Sequence, residues 1–160
     1  MSEQPLSSVH HGQWSALTSP ELAALDRSRA IAVLPVGATE QHGPHLPMSV
    51  DSDLAQAVVN QALALARAQA IAPSVLALPV LPVGFSPEHA RFPGTLSLKS
   101  ETLLRLWTDI GESVHASGVR KLVILNAHGG QVGAMDLVAR DLRNRLGMLV
   151  VSVNWFSLPL

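Results

Sequence analysis

The sequence predicts an α/β domain: a three-layer α/β/α sandwich with a mainly parallel central sheet. Three features lead there. Short apolar runs without a polar face, such as "AIAVLPV" (30–36) and "KLVILN" (121–126), have the pattern of strands covered on both sides. Between them stand longer segments whose apolar residues recur every three or four positions, the mark of helices with one buried stripe. The two kinds alternate, which is the sequence form of crossovers joining parallel strands. With 160 residues, 48% of them hydrophobic, the chain can bury one substantial core.

Residues 1–16 read as a polar N-terminal leader and 17–160 as the α/β domain. The leader lacks the basic start and continuous apolar stretch of a secretory signal. In "SPELAALD", Ser19 is the expected N-cap, with Pro20 at the first helical position and Glu21 answering the helix dipole. Ala30–Val36 is the first predicted strand, its far end made irregular by Pro35. From Ser52, "SDLAQAVVNQALALARAQ" stacks Leu54, Val58, Ala62 and Ala66 on one helical face, broadened by Ala55, Val59 and Leu63. "SVLALPVLPV" is a second apolar segment whose prolines limit regular pairing beyond Leu78.

The next stretch, "GFSPEHARFPGTLSL", is a punctuated loop that makes Ser86, Glu88, His89 and Arg91 available to a site. "SETLLRLWTDIGESVHASG" predicts a helix capped by Ser100, packed through Leu103, Trp107, Ile110 and Val114, and ended by Gly118. "KLVILN" is the third strand and "AMDLVARDLRNRLG" the fourth helix, with Met135, Val138, Leu142 and Leu146 toward the core. "MLVVSVNWF" is the fourth strand. The chain is still apolar at "SVNWFSLPL", with no helix following to cover the sheet, so a longer domain is expected of which this is the first part.

Composition narrows the function. A net charge of -1 gives no electrostatic reason for a nucleic-acid or anionic-membrane partner. The most hydrophobic region is broken by Pro73, Pro79 and Pro82 and cannot cross a bilayer as a helix. Absence of cysteine excludes disulfides, thiolate metal sites and cysteine nucleophiles, and a cytoplasmic location is expected. No dinucleotide or phosphate-loop glycine pattern is present, and "GFSPE" lacks the G-x-S-x-G elbow of serine hydrolases.

One stretch concentrates chemistry. "GATEQHGPHLPMSVDSD" holds Glu40, His42, His45, Asp51 and Asp53, although only 14% of the chain is charged. Glu40 and His42 follow the first strand, Asp51 precedes the next helix, and His128 follows the third strand. Loops leaving the carboxyl ends of parallel strands converge on one edge, so the four address one cleft. Carboxylate and imidazole suit zinc, manganese or iron, and one carboxylate can bridge two ions. The competing reading is structural: Glu40 caps a turn, His42 bonds to backbone and Asp51 caps the helix. His45 is expected to orient a ligand or make a structural contact, and Asp53 to answer the helix dipole.

"LPVGATEQHGPHLPMSVDSD", "HARFPGTLSL" and "LVILNAHGG" together resemble the signatures of the creatininase family, over about residues 17–156. Its members include creatinine amidohydrolases, formamide-cleaving enzymes of flavin or deazaflavin precursor synthesis, and a peptidase of mycofactocin maturation. The resemblance implies a three-layer α/β/α fold, two divalent metal ions (Zn, Mn or Fe) and assembly as homo-oligomers, often hexamers. It also implies that Glu40, His42, Asp51 and His128 are metal ligands. Asp51 matches the bridging carboxylate; Glu40, Asp51 and His128 would serve one ion, while His42 and Asp51 would contribute to the other. Creatinine-cleaving members carry a glutamate ligand two residues after the histidine, where this chain has Gly130. Other members have glycine there and take a late glutamate from beyond the fourth strand, so the second metal site is expected to be incomplete within these residues. Gly130 also counts against creatinine as substrate.

The reading that follows is a metal-dependent hydrolase that cleaves a C–N amide bond in a small cyclic or linear amide, a formamide or a short peptide. In it the metals polarise the carbonyl and activate water. Asp51 takes part in catalysis through the metals, and His89 is the candidate proton donor to the leaving nitrogen. A creatininase-like protein that lacks catalysis and acts in assembly or ligand binding is the alternative. A dinucleotide-binding α/β domain is a third, set back by the missing glycine pattern.

Overall fold

The computed structural model describes residues 9–158. Residues 1–8 of the predicted leader, and the last two of the apolar terminus, lie outside them. The elements run β1 (His11–Gln13), α1 (Ser19–Ala24), β2 (Ile31–Val36), α2 (Val50–Ala68), β3 (Val75–Ala77), α3 (Ser100–Ala116), β4 (Lys121–Asn126), α4 (Val132–Leu146) and β5 (Leu149–Asn154). The strands form one parallel sheet in the order β1-β3-β2-β4-β5.

The all-apolar strands predicted cover on both faces, and both faces have it. Leu34, Val36, Leu122 and Ile124 point to the side where Leu103 and Trp107 of α3 pack with Met135 and Leu142 of α4. Val33, Ala77 and Leu125 point the other way, against Val59 and Leu63 of α2. Three layers result, as the alternation of elements required. Side chains as large as Trp107, at 1% exposure, each contribute about 1.5–3 kcal/mol by leaving water. On the α2 side the cover is partial: α2 packs over β1, β3 and β2, while Leu149 and Val151 of β5 remain 57% and 43% exposed. Among the described residues no helix is long and apolar enough to cross a membrane.

Three local differences from the sequence reading have clear causes. Residues His11–Gln13 carry no apolar alternation, yet they pair with β3 as an edge strand, fixed by Ser74 Oγ accepting from His10 N at 2.9 Å and by Arg67 donating to the His11 carbonyl. Thr18 rather than Ser19 caps α1. From Thr18 the third helical residue is Glu21, whose carboxylate accepts from Thr18 N at 2.7 Å and closes a capping box; counted from Ser19 it would be Leu22. Finally, α2 starts at Val50, two residues earlier than Ser52, which places Asp51 inside its first turn.

Candidate metal centre

The two central strands end side by side, with Val36 of β2 paired to Asn126 of β4. Beyond them the chain turns in opposite directions: β2 leads through α2 to β3 on one flank, and β4 through α4 to β5 on the other. Such a switch in strand order opens a crevice at the carboxyl ends. Glu40 and His42 enter it from the loop after β2, His128 from the loop after β4, and Asp51 from the start of α2. Gly37 lets that helix approach. A Cβ on it would lie 2.7 Å from Ser52 N and 2.8 Å from Ser52 Cα, so any side chain would push the helix, and Asp51 with it, away.

The cluster is buried, with Glu40 at 5%, Asp51 at 6% and His128 at 3% exposure. Asp51 presents one oxygen to each imidazole: Oδ1 lies 3.1 Å from His42 Nε2, and Oδ2 lies 3.1 Å from His128 Nδ1. Glu40 Oε1 is 3.3 Å from the same His128 nitrogen. The far nitrogen of each ring is held by a backbone carbonyl. His42 Nδ1 is 3.0 Å from the Glu40 carbonyl and His128 Nε2 is 2.9 Å from that of Phe85. A carbonyl can only accept, and so can an ionised carboxylate, so each ring stands between two acceptors and the one proton of a neutral ring can serve only one of them. With that proton on the carbonyl side, the inner nitrogen is a lone pair aimed at a carboxylate, which is repulsive unless a second proton or a cation lies between.

Two further observations fit a cation. Glu40 Oε2 and Asp51 Oδ2 are buried without a hydrogen-bond partner, the second despite its 3.1 Å approach to a ring nitrogen, as expected if that nitrogen offers a lone pair. Donor atoms gather in two sets of three, within 4.8 Å of one another: Glu40, His42 and Asp51, and Glu40, Glu88 and His128. These sets share Glu40, whereas the family resemblance implies sharing through Asp51, the carboxylate in contact with both rings. Two carboxylates and two imidazole lone pairs suit zinc, manganese or iron. Without a cation a proton serves instead. Burial pushes the His128 imidazole down, but the Asp51 carboxylate beside Nδ1, the Phe85 carbonyl and the charge of Glu40 together outweigh it and hold the ring above its ordinary value.

His89 joins the cluster in a different state. Gln41 Oε1 accepts from Gly43 N at 2.9 Å, which turns the amide nitrogen toward His89 Nδ1 at 3.0 Å. Nδ1 therefore accepts and Nε2 carries the proton, 3.6 Å from Glu40 Oε1. His89 offers the site a proton rather than a lone pair. His45 is exposed, and Asp53 accepts from Ser49 Oγ at 2.7 Å on the flank of α2. Ser86, His128 and Asp51 form a string that resembles a serine triad, with Ser86 Oγ 3.2 Å from His128 Nε2. That nitrogen also faces the Phe85 carbonyl at 2.9 Å, where a free lone pair would be repelled, and Ser86 is 0% exposed, out of reach of a substrate. The structural alternative for His42 holds in part: the ring does bond to backbone, through the nitrogen facing away from Asp51.

Sequence reasoning passed over the scaffold of His128. Asn126 Oδ1 accepts from His128 N at 3.0 Å and from Gln131 Nε2 at 3.0 Å, while Asn126 Nδ2 donates to the His128 carbonyl at 2.7 Å. Gln131, 1% exposed, also donates to the Gly37 carbonyl at 3.2 Å and so ties the two loops together. A polar Asn ending an apolar strand was the available signal.

Residues 15–159 match the family model described as Creatininase, creatinine amidohydrolase. Over 135 residues the chain is 39% identical to the mycofactocin precursor peptide peptidase of Mycobacterium tuberculosis (strain CDC 1551 / Oshkosh), covering 82% of this chain and 52% of that protein. It is 36% identical over 122 residues to the creatinine amidohydrolase of Pseudomonas putida, covering 71% and 44%. A solved structure described as "Creatininase Mn" superposes with a TM-score of 0.74 at 31% identity, covering 92% of this chain and 59% of the other. The chain thus spans about half the length of the curated relatives it matches.

Proposed function

The chain belongs to the creatininase family, and from that membership and the buried cluster we propose that the protein is a metal-dependent hydrolase of C–N amide bonds. The observation that carries the reading is Asp51, whose two oxygens face two imidazoles that each have a backbone carbonyl at the far nitrogen, an arrangement of acceptors that a cation at the inner nitrogens satisfies. We propose Glu40, His42, Asp51 and His128 as holders of two divalent ions, with the manganese in the name of a structural relative as supporting context. When bound, such ions polarise a carbonyl and make water a nucleophile near neutral pH.

The remaining chemistry falls to side chains. Asp51 and Glu40 set the charge of the crevice, and the Glu40 and Phe85 carbonyls fix the ring orientations. Hydrolysis adds the elements of water across the C–N bond, so the departing nitrogen needs a proton. His89 Nε2–H, held by Gln41, is the group assigned to deliver it. A short peptide or formamide fits better than creatinine, supported by the 39% identity to a peptide peptidase and by glycine at position 130. A cytoplasmic homo-oligomer, a hexamer in the family's usual form, is the assembly and location proposed.

The test is amine release by the full chain, loaded with zinc or manganese, from creatinine, N-formyl compounds and short peptides. Turnover of a peptide or formamide that chelation abolishes and metal restores is expected. Metal-loaded protein that cleaves none of the three classes would leave the non-catalytic, ligand-binding reading in its place.

A further inference from the structure

We propose that Glu88 is a metal ligand of this chain, supplying a carboxylate in the space that a side chain at position 130 would otherwise fill; the proposal rests on the metal reading above. Glu88 lies on the 3-10 turn Pro87–His89 and is exposed, free by its position to extend into water. It turns inward instead. Its carboxylate reaches within 4.8 Å of donor atoms of Glu40 and His128. The side chain of Glu40 is only 6% exposed, and its Oε2 has no hydrogen-bond partner. Two carboxylates converging on an imidazole whose second nitrogen is already committed to the Phe85 carbonyl repel one another in the absence of positive charge. A divalent cation is the partner that all three donors can share.

Gly130 makes the arrangement specific. A Cβ built there collides with Glu88 Oε1, and would also lie 2.7 Å from His128 Nε2 and 2.9 Å from the Phe85 carbonyl. The Glu88 carboxylate therefore occupies the volume directly over the Gly130 backbone. A side chain at 130 would displace the Glu88 carboxylate from this place, so glycine at 130 leaves room for a ligand from the neighbouring loop.

The experiment uses the full chain, as wild type, Glu88→Gln and Glu88→Asp. Each is loaded with excess zinc or manganese and gel-filtered, then analysed for metal by mass spectrometry and for affinity by titration calorimetry. Glu88→Gln is expected to hold one ion fewer per chain, or to bind the weaker ion at least about tenfold less tightly, with Glu88→Asp intermediate. Because Glu88 is exposed and its replacement relieves rather than adds repulsion, the chelated Glu88→Gln variant should melt no lower than wild type, which separates ligand loss from misfolding. Wild-type stoichiometry and affinity in Glu88→Gln would overturn the assignment of Glu88 alone. Wild-type protein that takes up no ion would overturn the metal reading beneath it.

Discussion

Replacing Asp51 by asparagine separates a metal bridge from a structural contact, because the two predict opposite signs. The side chain is 8% exposed and its Oδ2 lacks a hydrogen bond. A buried acceptor left without a partner costs about 1–3 kcal/mol. Asparagine has the same shape, no charge, and an amide that can donate to one imidazole lone pair. His128 is held above its ordinary value and gives up its proton as pH climbs through its folded pKa. Above that pKa the chelated variant should be more stable than chelated wild type by about 1–3 kcal/mol. Loaded wild type, with an ion at about a hundred times its Kd, gains about 2.7 kcal/mol. For a domain of this size that is a rise in Tm of about 5–10 °C, and the variant should lose most of it. Scanning calorimetry with and without chelator, alongside metal analysis, reads both quantities. A variant that melts below wild type without metal and keeps the metal-induced rise would refute the bridge.

The His128 proton gives a second handle. Its pKa is raised above 6.5, so the stability it lends is fully present below that pH and is lost as pH climbs through the folded value. Chelated protein should therefore melt lower at about pH 8.5 than at about pH 6.5, while metal affinity rises over the same interval, because proton and cation compete for Nδ1; parallel trends would contradict the competition. Asn126→Ala strips acceptors from His128 N and Gln131 Nε2. A loss of about 2–5 kcal/mol in urea unfolding and a roughly 10–100-fold fall in metal affinity are expected, and a change below about 1 kcal/mol would show that the network does not brace the loop. Ser86→Ala should keep activity within about tenfold of wild type, where a serine nucleophile would cost about 10⁶, and a fluorophosphonate probe should leave Ser86 unlabelled.

Most of the architecture could be read from the chain because it depends on local patterns that repeat. The unbroken apolar runs at 30–36 and 121–126 specify two-sided burial, and the stripes of Leu103, Trp107, Met135 and Leu142 specify which helix faces meet the sheet. β1 was illegible because an edge strand of His, Gly and Gln is held by backbone pairing, which has no side-chain signature. At the site, residue types and loop order brought out Glu40, His42, Asp51 and His128. The ring orientations did not emerge, since they depend on which backbone carbonyl ends up beside each ring. Glu88 could be listed among loop residues but not aimed, because its direction depends on empty space above Gly130, a contact across 42 positions of chain that no spacing encodes.

The opposite turns taken after β2 and β4 give an ion here a mechanical part as well. Asp51 rides on the helix stacked against one side of the sheet, and His128 belongs to the segment that starts the helix on the other. A cation gripped by both would rivet the two flanks through the rim of the sheet. Heated protein so loaded should come apart in one step, whereas stripped protein would be free to shed the α2 flank first.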